Sequence, residues 1–162
     1  MIIDLQKAIQ FTKKYQKEGK TVGLVTGCFD ILHIGHIELF RKAKQRLDIL
    51  MVGLEGDETV RINKGKGRPV NNLSIRLEQI YELKSVDYVF PIDSLNWKNA
   101  KEYLVKITKS INPDAIITNS IVDIYSEEKK LRAKNLGIEY IDLKAQRLTS
   151  SSEIYNKLIN TE

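Results

Sequence analysis

The chain has 162 residues, 42% of them hydrophobic and 29% charged, which is typical of a globular protein with one well-formed core. Its net charge of +5 suits an anionic ligand or nucleic acid, and the lone Cys28 excludes an internal disulfide. No apolar run is long enough to span a bilayer and the first residues lack a secretory signal, so we expect one cytoplasmic domain over residues 1–162, with no membrane partner.

Short β-branched runs alternate with longer amphipathic runs along the chain. In chain order they predict a helix over 3–18, a strand over 21–26, a helix over 36–47, a strand over 48–55, a helix over 73–84, a strand over 86–91, a helix over 97–110, a strand over 114–118, a helix over 126–136, a strand over 138–143 and a closing helix over 150–160. This alternation predicts an α/β fold, a doubly wound parallel sheet of about five strands with helices on both faces. Ligands bind such sheets beyond the carboxyl ends of the strands, so we expect a site at the loop after the first strand.

Basic residues form four clusters, at 13–20, 41–46, 61–68 and 128–134. Three of them fall in predicted helices, where a solvated helix face is the ordinary explanation. The cluster at 61–68 is broken by two glycines and followed by a proline, so we expect a cationic loop over 63–71.

Both histidines of the chain, His33 and His36, stand on either side of Gly35 at the start of a predicted helix. Imidazole donors at a helix N-terminus can neutralise charge that develops on a phosphate oxygen. The same pair could instead ligate a metal, which would need a third ligand such as Asp30 or Asp57. These residues by themselves leave both interpretations open.

Three motifs together resemble one superfamily. GCFDILHIGHIELF (27–40) resembles the HxGH signature loop of the nucleotidyltransferases, which include cytidylyltransferases, bacterial adenylyltransferases and class I aminoacyl-tRNA synthetases. LEGDETVRINKGKGRPVNNLSIRLEQI (54–80) is similar to the adenylyltransferase domain of bacterial ADP-heptose synthases, and LTSSSEI (148–154) is similar to the family's Ser-Thr-Thr motif. The resemblance spans essentially the whole chain and implies the Rossmann-like HxGH nucleotidyltransferase fold.

The resemblance also implies roles for individual residues. Phosphate contact and transition-state stabilisation fall to His33, His36 and Lys64. Nucleotide binding falls to Gly27, Cys28, Phe29, Gly35, Thr149, Ser150, Ser151 and Ser152. Acceptor binding falls to Asp30, Lys66, Arg68, Arg76 and Asn119. The implied cofactor is Mg²⁺, held mainly by the nucleotide phosphates rather than by protein ligands. The implied partners are a nucleoside triphosphate, with ATP favoured over CTP, and a small phosphorylated acceptor, in a homodimer.

One segment departs from the family pattern and leaves the substrate open. Residues 116–124 carry Asn119 and Ser120 where relatives have a glycine and an acidic residue, and Asp123 is a possible substitute for the acid. The leading hypothesis is adenylyl transfer to a sugar 1-phosphate such as a heptose phosphate. The alternatives are cytidylyl transfer to a polyol phosphate such as glycerol 3-phosphate, an FAD synthetase-like activity, and a nucleotide-binding module without turnover. We expect neither a tRNA synthetase nor a nucleic-acid partner, since no KMSKS-like loop or recognised binding module accompanies the motifs.

Overall fold

Strands and helices alternate along the chain in the computed structural model, which describes residues 1–92, 100–146 and 149–159. The strands are β1 (Val22–Gly27), β2 (Ile49–Glu55), β3 (Tyr88–Ile92), β4 (Ala115–Thr118) and β5 (Glu139–Asp142). The helices are α1 (Leu5–Lys17), α2 (Ile34–Lys44), α3 (Asp57–Lys64), α4 (Leu73–Tyr81), α5 (Ala100–Ile111), α6 (Ser126–Leu136) and α7 (Ser151–Ile159). Each predicted strand is present, as is each predicted helix, although 97–99 and 160 lie outside the described residues.

Helix α3 was not predicted. The expectation of a loop beginning at residue 63 was wrong, because α3 continues to Lys64. Its eight residues are mostly charged and Val60 is its one buried side chain, so no apolar periodicity reveals it. Acidic residues in its first turn and basic residues in its last turn complement the helix dipole, and Gly65 ends it with a φ of 88°.

The sheet is parallel throughout, in the order β3-β2-β1-β4-β5, which confirms the predicted doubly wound topology. Alternate residues of the central strands enter two apolar layers. Val25 and Val52 face the layer that α2 and α4 cover, whereas Leu24 and Met51 face the layer that α1 and α5 cover. Strands buried on both faces explain why these runs are almost continuously apolar.

The strand order reverses between β1 and β4, and this point positions the site. The chain leaves β1 toward α2 and leaves β4 toward α6, so the two loops separate at the carboxyl edge of the sheet. Helices α2 and α7 both begin at this edge. None of the helices in the described part of the chain combines the length and apolar composition needed to cross a membrane.

Candidate active site

A cleft of about 900 Å³ opens at the carboxyl edge of the sheet. Twelve of the residues assigned from the sequence line it, namely Gly27, Cys28, Phe29, His33, Gly35, His36, Lys64, Asn119, Thr149, Ser150, Ser151 and Ser152. They come from four separate segments of the chain, which the topology brings to one edge. Asp30, Lys66, Arg68 and Arg76 are not part of the cleft wall.

The two imidazoles stack on each other at the start of α2. His33 is the N-cap of the helix and His36 lies in its first turn, with ring centroids 3.7 Å apart and ring planes inclined by 25°. Gly35 makes room for this stack, because a Cβ at that position would lie only 3.0 Å from Cε1 of His33. Among the described residues, Nδ1 of each ring has no hydrogen-bond partner. Both Nδ1 atoms are buried, so the two rings are held by packing rather than by hydrogen bonds through Nδ1.

The Phe29 ring also packs against His36. Its backbone has a φ of 46°, which is rare for a residue with a side chain, and this conformation turns the ring toward α2. The Phe29 ring meets His36 edge-on at a centroid distance of 5.0 Å and packs on Phe40 at 5.1 Å. Gly27 leaves room for the same ring, since a Cβ there would lie 3.0 Å from Cζ of Phe29.

Burial and neighbouring charge keep both imidazoles neutral in the free protein. Burial, then His33 and Lys64, lowers the pKa of His36 to about 3. Burial and the charge of Lys64 also lower the pKa of His33, opposed by Glu153. Lys64, at the end of α3, is thus close enough to act electrostatically on both rings. A ligand that brings negative charge would raise the pKa of both imidazoles and favour their protonation.

The beginning of α7 faces the histidine loop across the cleft. Ser151 is buried, and its Oγ donates to the carbonyl of Ile31 at 3.0 Å, which ties α7 to the loop before α2. Ser150 accepts from the backbone N–H of Glu153 at 3.2 Å, so this serine caps the helix. Two helix N-termini therefore face one cleft, an arrangement that favours a polyanion.

Asp30 and Arg68 form a buried pair beneath the cleft. The Asp30 side chain is fully buried and accepts from Nε of Arg68 and from the backbone N–H groups of Val70, at 2.8 Å, and Asn71, at 3.0 Å. The carboxylate has its partners within the protein, so it anchors the 65–72 loop to the segment after β1. Its assignment to the acceptor stays a prediction.

Arg76 extends this network and is likewise fully buried. Its guanidinium donates to the carbonyl of Cys28 at 2.6 Å, to the carbonyl of Asn71 at 3.0 Å and to Asp57 at 2.7 Å. The two aspartates proposed as a third metal ligand are therefore both engaged by arginines. Within the described ranges, no group of three or more His, Cys, Asp or Glu residues is placed to hold a metal ion.

The sequence reasoning missed a polar group on α6. The basic cluster at 128–134 is helical as predicted, but a solvated face was wrong for Lys129 and Arg132, which line the cleft. Lys129 donates to the carbonyl of Thr26 at 2.8 Å and to Asp123 at 2.6 Å. Arg132 is only 8% exposed, and its Nε and Nη2 have no partner among the described residues. Their spacing of three residues on one helix was the available signal.

Residues 24–157 match the family model described as cytidylyltransferase-like. The chain belongs to the cytidylyltransferase-like family. This membership confirms the resemblance inferred from the sequence and the nucleotidyltransferase class that it implies. It also explains why the HxGH loop and the TSSS segment face each other across one cleft.

Several known proteins resemble this cytidylyltransferase-like chain. Bifunctional protein HldE of Sulfurimonas denitrificans is 37% identical over 105 residues, which cover 65% of this chain and 20% of that protein. The Mesorhizobium japonicum protein of the same name is 43% identical over 88 residues, 54% of this chain and 18% of that one. The chain thus spans about a fifth of the length of these relatives.

Two solved structures share the fold. The lipopolysaccharide core biosynthesis protein of Thermoplasma volcanium superposes with a TM-score of 0.64 and 27% identity, over 80% of this chain and all of that one. Pantoate-beta-alanine ligase of Francisella tularensis superposes with a TM-score of 0.73 over 96% of this chain and 72% of its own, at 19% identity. The second likeness concerns the fold alone.

The segment that departs from the family pattern forms part of the cleft wall. Asn119 is buried, and its Nδ2 donates to the carbonyl of Ala145 at 2.8 Å. Asp123 accepts from Thr118, Lys129 and the backbone N–H of Tyr125. In this cytidylyltransferase-like protein both side chains thus fix the loop after β4, and the acceptor role of Asn119 stays a prediction.

Burial raises the pKa of the Cys28 thiol, so this thiol is protonated at neutral pH.

Proposed function

We propose that this protein transfers a nucleoside monophosphate from a nucleoside triphosphate to a phosphorylated acceptor and releases pyrophosphate. The observation that carries the proposal is the neutral, stacked pair His33 and His36 facing the start of α7 across one cleft. A triphosphate bound there would meet two helix N-termini, two imidazoles and the Lys64 ammonium.

The reaction needs positioning and charge neutralisation more than proton transfer. An oxygen of the acceptor phosphate attacks the α-phosphorus in line, a new P–O bond forms, and the bond to the β-phosphate oxygen breaks with its electron pair leaving on pyrophosphate. The acceptor phosphate is already anionic near neutral pH, so it requires no general base. His33, His36 and Lys64 would donate to the phosphate oxygens, where negative charge increases in the transition state.

The cleft also suits a triphosphate accompanied by Mg²⁺. The segment 149–152 and the histidine pair supply hydroxyl and N–H groups, which complement phosphate oxygens rather than a cation. Mg²⁺ would therefore be held mainly by the phosphates and by water, and it would add positive charge at the bond that breaks.

The favoured substrates are ATP and a sugar 1-phosphate such as a heptose phosphate. The relatives named HldE, bifunctional ADP-heptose synthases, support this choice. The family description supports CTP with a polyol phosphate as a second candidate.

Pyrophosphate release tests the proposal directly. The protein is incubated with Mg²⁺, with each of ATP and CTP, and with heptose 1-phosphate, glucose 1-phosphate, glycerol 3-phosphate or flavin mononucleotide. We expect release above background with one nucleotide and one acceptor class, and loss of that release in His36→Ala. Nucleotide binding by calorimetry without turnover for any pair would instead identify a non-catalytic binding module.

A further inference from the structure

The cleft has a half that the triphosphate motifs do not occupy. The HxGH loop and the start of α7 lie on the side of β1 and β4. On the other side, Glu55 and Ile92 extend from the ends of β2 and β3, and Leu104 of α5 completes the wall. If the nucleotide binds the motifs, this second half is left for the acceptor.

Glu55 is the residue of this half that lacks a partner. Three acidic side chains line the cleft, and two of them are paired in the described structure, Asp123 with Lys129 and Glu128 with Lys101. The Glu55 carboxylate, partly buried at the end of β2, has no hydrogen bond or ion pair with any described residue. A carboxylate that lines the cleft with no partner in the described structure keeps its acceptor capacity for a ligand.

Two of the cations near Glu55 bond to other groups, so they are not its partners. Lys129 bonds to Asp123 and to the carbonyl of Thr26, and Arg76 bonds to Asp57. Burial raises the pKa of Glu55, although Lys129, Lys64 and Arg76 act in the opposite direction. These three positive charges also make the surroundings unfavourable for a ligand ammonium group.

We propose that Glu55 accepts hydrogen bonds from hydroxyl groups of the acceptor and thereby selects a polyol or sugar phosphate. A carboxylate repels the reacting phosphate but accepts from two neighbouring hydroxyls, which bring donors without charge. Glu55 is thus a specificity-determining residue of the acceptor half, and this inference rests on the proposed nucleotidyl transfer.

The test compares acceptors that differ in their donors. With the preferred nucleotide, kcat/KM is measured for glycerol 3-phosphate and glucose 1-phosphate, for propyl phosphate, which lacks hydroxyls, and for phosphoethanolamine, which carries an ammonium group. We expect the wild-type protein to prefer a hydroxylated acceptor over propyl phosphate by about tenfold or more, the range for a hydrogen bond to a charged group. We expect Glu55→Gln to reduce this preference at least tenfold.

The matched control is Glu78→Gln, the same change at an exposed position of α4 that does not line the cleft. It should keep the wild-type preference, and circular dichroism should show both variants folded. The inference would be overturned if Glu55→Gln kept the wild-type preference, or if the wild-type protein preferred phosphoethanolamine. It would also be overturned if Glu55→Gln raised the Mg²⁺ concentration needed for activity and left the acceptor preference unchanged. In the wild-type protein, equal kcat/KM values for propyl phosphate and the polyol phosphates would be enough to refute it. Absence of pyrophosphate with every pair would overturn the proposed function and this inference with it.

Discussion

Replacing Gly35 by alanine should separate the catalytic role of the histidine stack from the stability of the fold. Gly35 is the second residue of α2 and lies directly beneath the His33 ring. An added methyl group would lie 3.0 Å from Cε1 and 3.1 Å from Nδ1 of that ring, whereas ordinary contacts begin at 3.4 Å. The ring must therefore move by about 0.4 Å, and His36, stacked against it, restricts where it can go.

The substitution should affect folding stability and turnover differently. Alanine is more stable than glycine in the middle of a helix by roughly 0.5–1 kcal/mol, and part of this gain at the second residue of α2 offsets the cost of moving the ring. Turnover has no such compensation, because a small displacement of a group that contacts the reacting atoms lowers the rate by up to about a hundredfold. We expect turnover to fall by roughly 10- to 100-fold while the melting temperature changes little.

The assay is pyrophosphate release at saturating nucleotide, with thermal unfolding of the same samples. Gly56→Ala is the matched control, because its added Cβ would meet the carbonyl of Ile92 at 3.6 Å, an ordinary contact, and Gly56 does not line the cleft. Wild-type turnover in Gly35→Ala would refute the requirement for this ring position. A loss of turnover that merely follows a loss of folded protein would refute it equally.

Three further predictions concern the same cleft. His36→Ala should lower turnover about 10²- to 10³-fold with folding intact, because it removes a donor from the phosphate site; near wild-type pyrophosphate release would remove this imidazole from the mechanism. The free energy of unfolding should decline by roughly 1–2 kcal/mol as pH falls from 6.5 to 5, because His36 takes up a proton in the unfolded chain but not in the folded protein, where its pKa is about 3. Urea unfolding at pH 7, 6 and 5 should show a shallower decline in His36→Asn, and equal declines would contradict the assignment. Arg132→Met should raise the melting temperature and weaken nucleotide binding in calorimetry, since it removes a buried guanidinium with unpaired donors; unchanged affinity, or the same effect from the exposed Arg46→Met, would refute it.

The strands and most helices were predictable because the spacing of their apolar residues follows their pattern of burial. Strands β1 and β2 are apolar on both faces, and α1 carries its apolar residues on one side. Helix α3 was not predictable in this way, since one buried valine gives no period. It forms because Val60 packs into the core and because capping and charge suit its two ends.

The candidate site was predictable as far as its residues follow strand ends or begin helices. The HxGH loop and the TSSS segment do so, and parallel topology brings such positions to one edge. Arg68 and Arg76 form buried ion pairs, which residue types alone do not distinguish from ligand-binding cations, and their assignment to the acceptor stays a prediction. Glu55 and Arg132 were missed for a different reason. In sequence Glu55 is an ordinary polar residue at the end of a strand, and Arg132 is one of several charged residues on a helix.

The sequence by itself determined the family, the parallel sheet and the residues of the proposed triphosphate site, because motif spacing and hydrophobic period are local properties of the chain. Only the tertiary structure decided which charged groups have partners. It paired Asp30 with Arg68 and Asp57 with Arg76 within the fold. It placed Glu55 and Arg132 at the cleft, where Glu55 and the Nε and Nη2 atoms of Arg132 have no partner among the described residues. Pairing depends on contacts between segments far apart in sequence, and burial makes an unpaired charge costly enough to indicate a ligand.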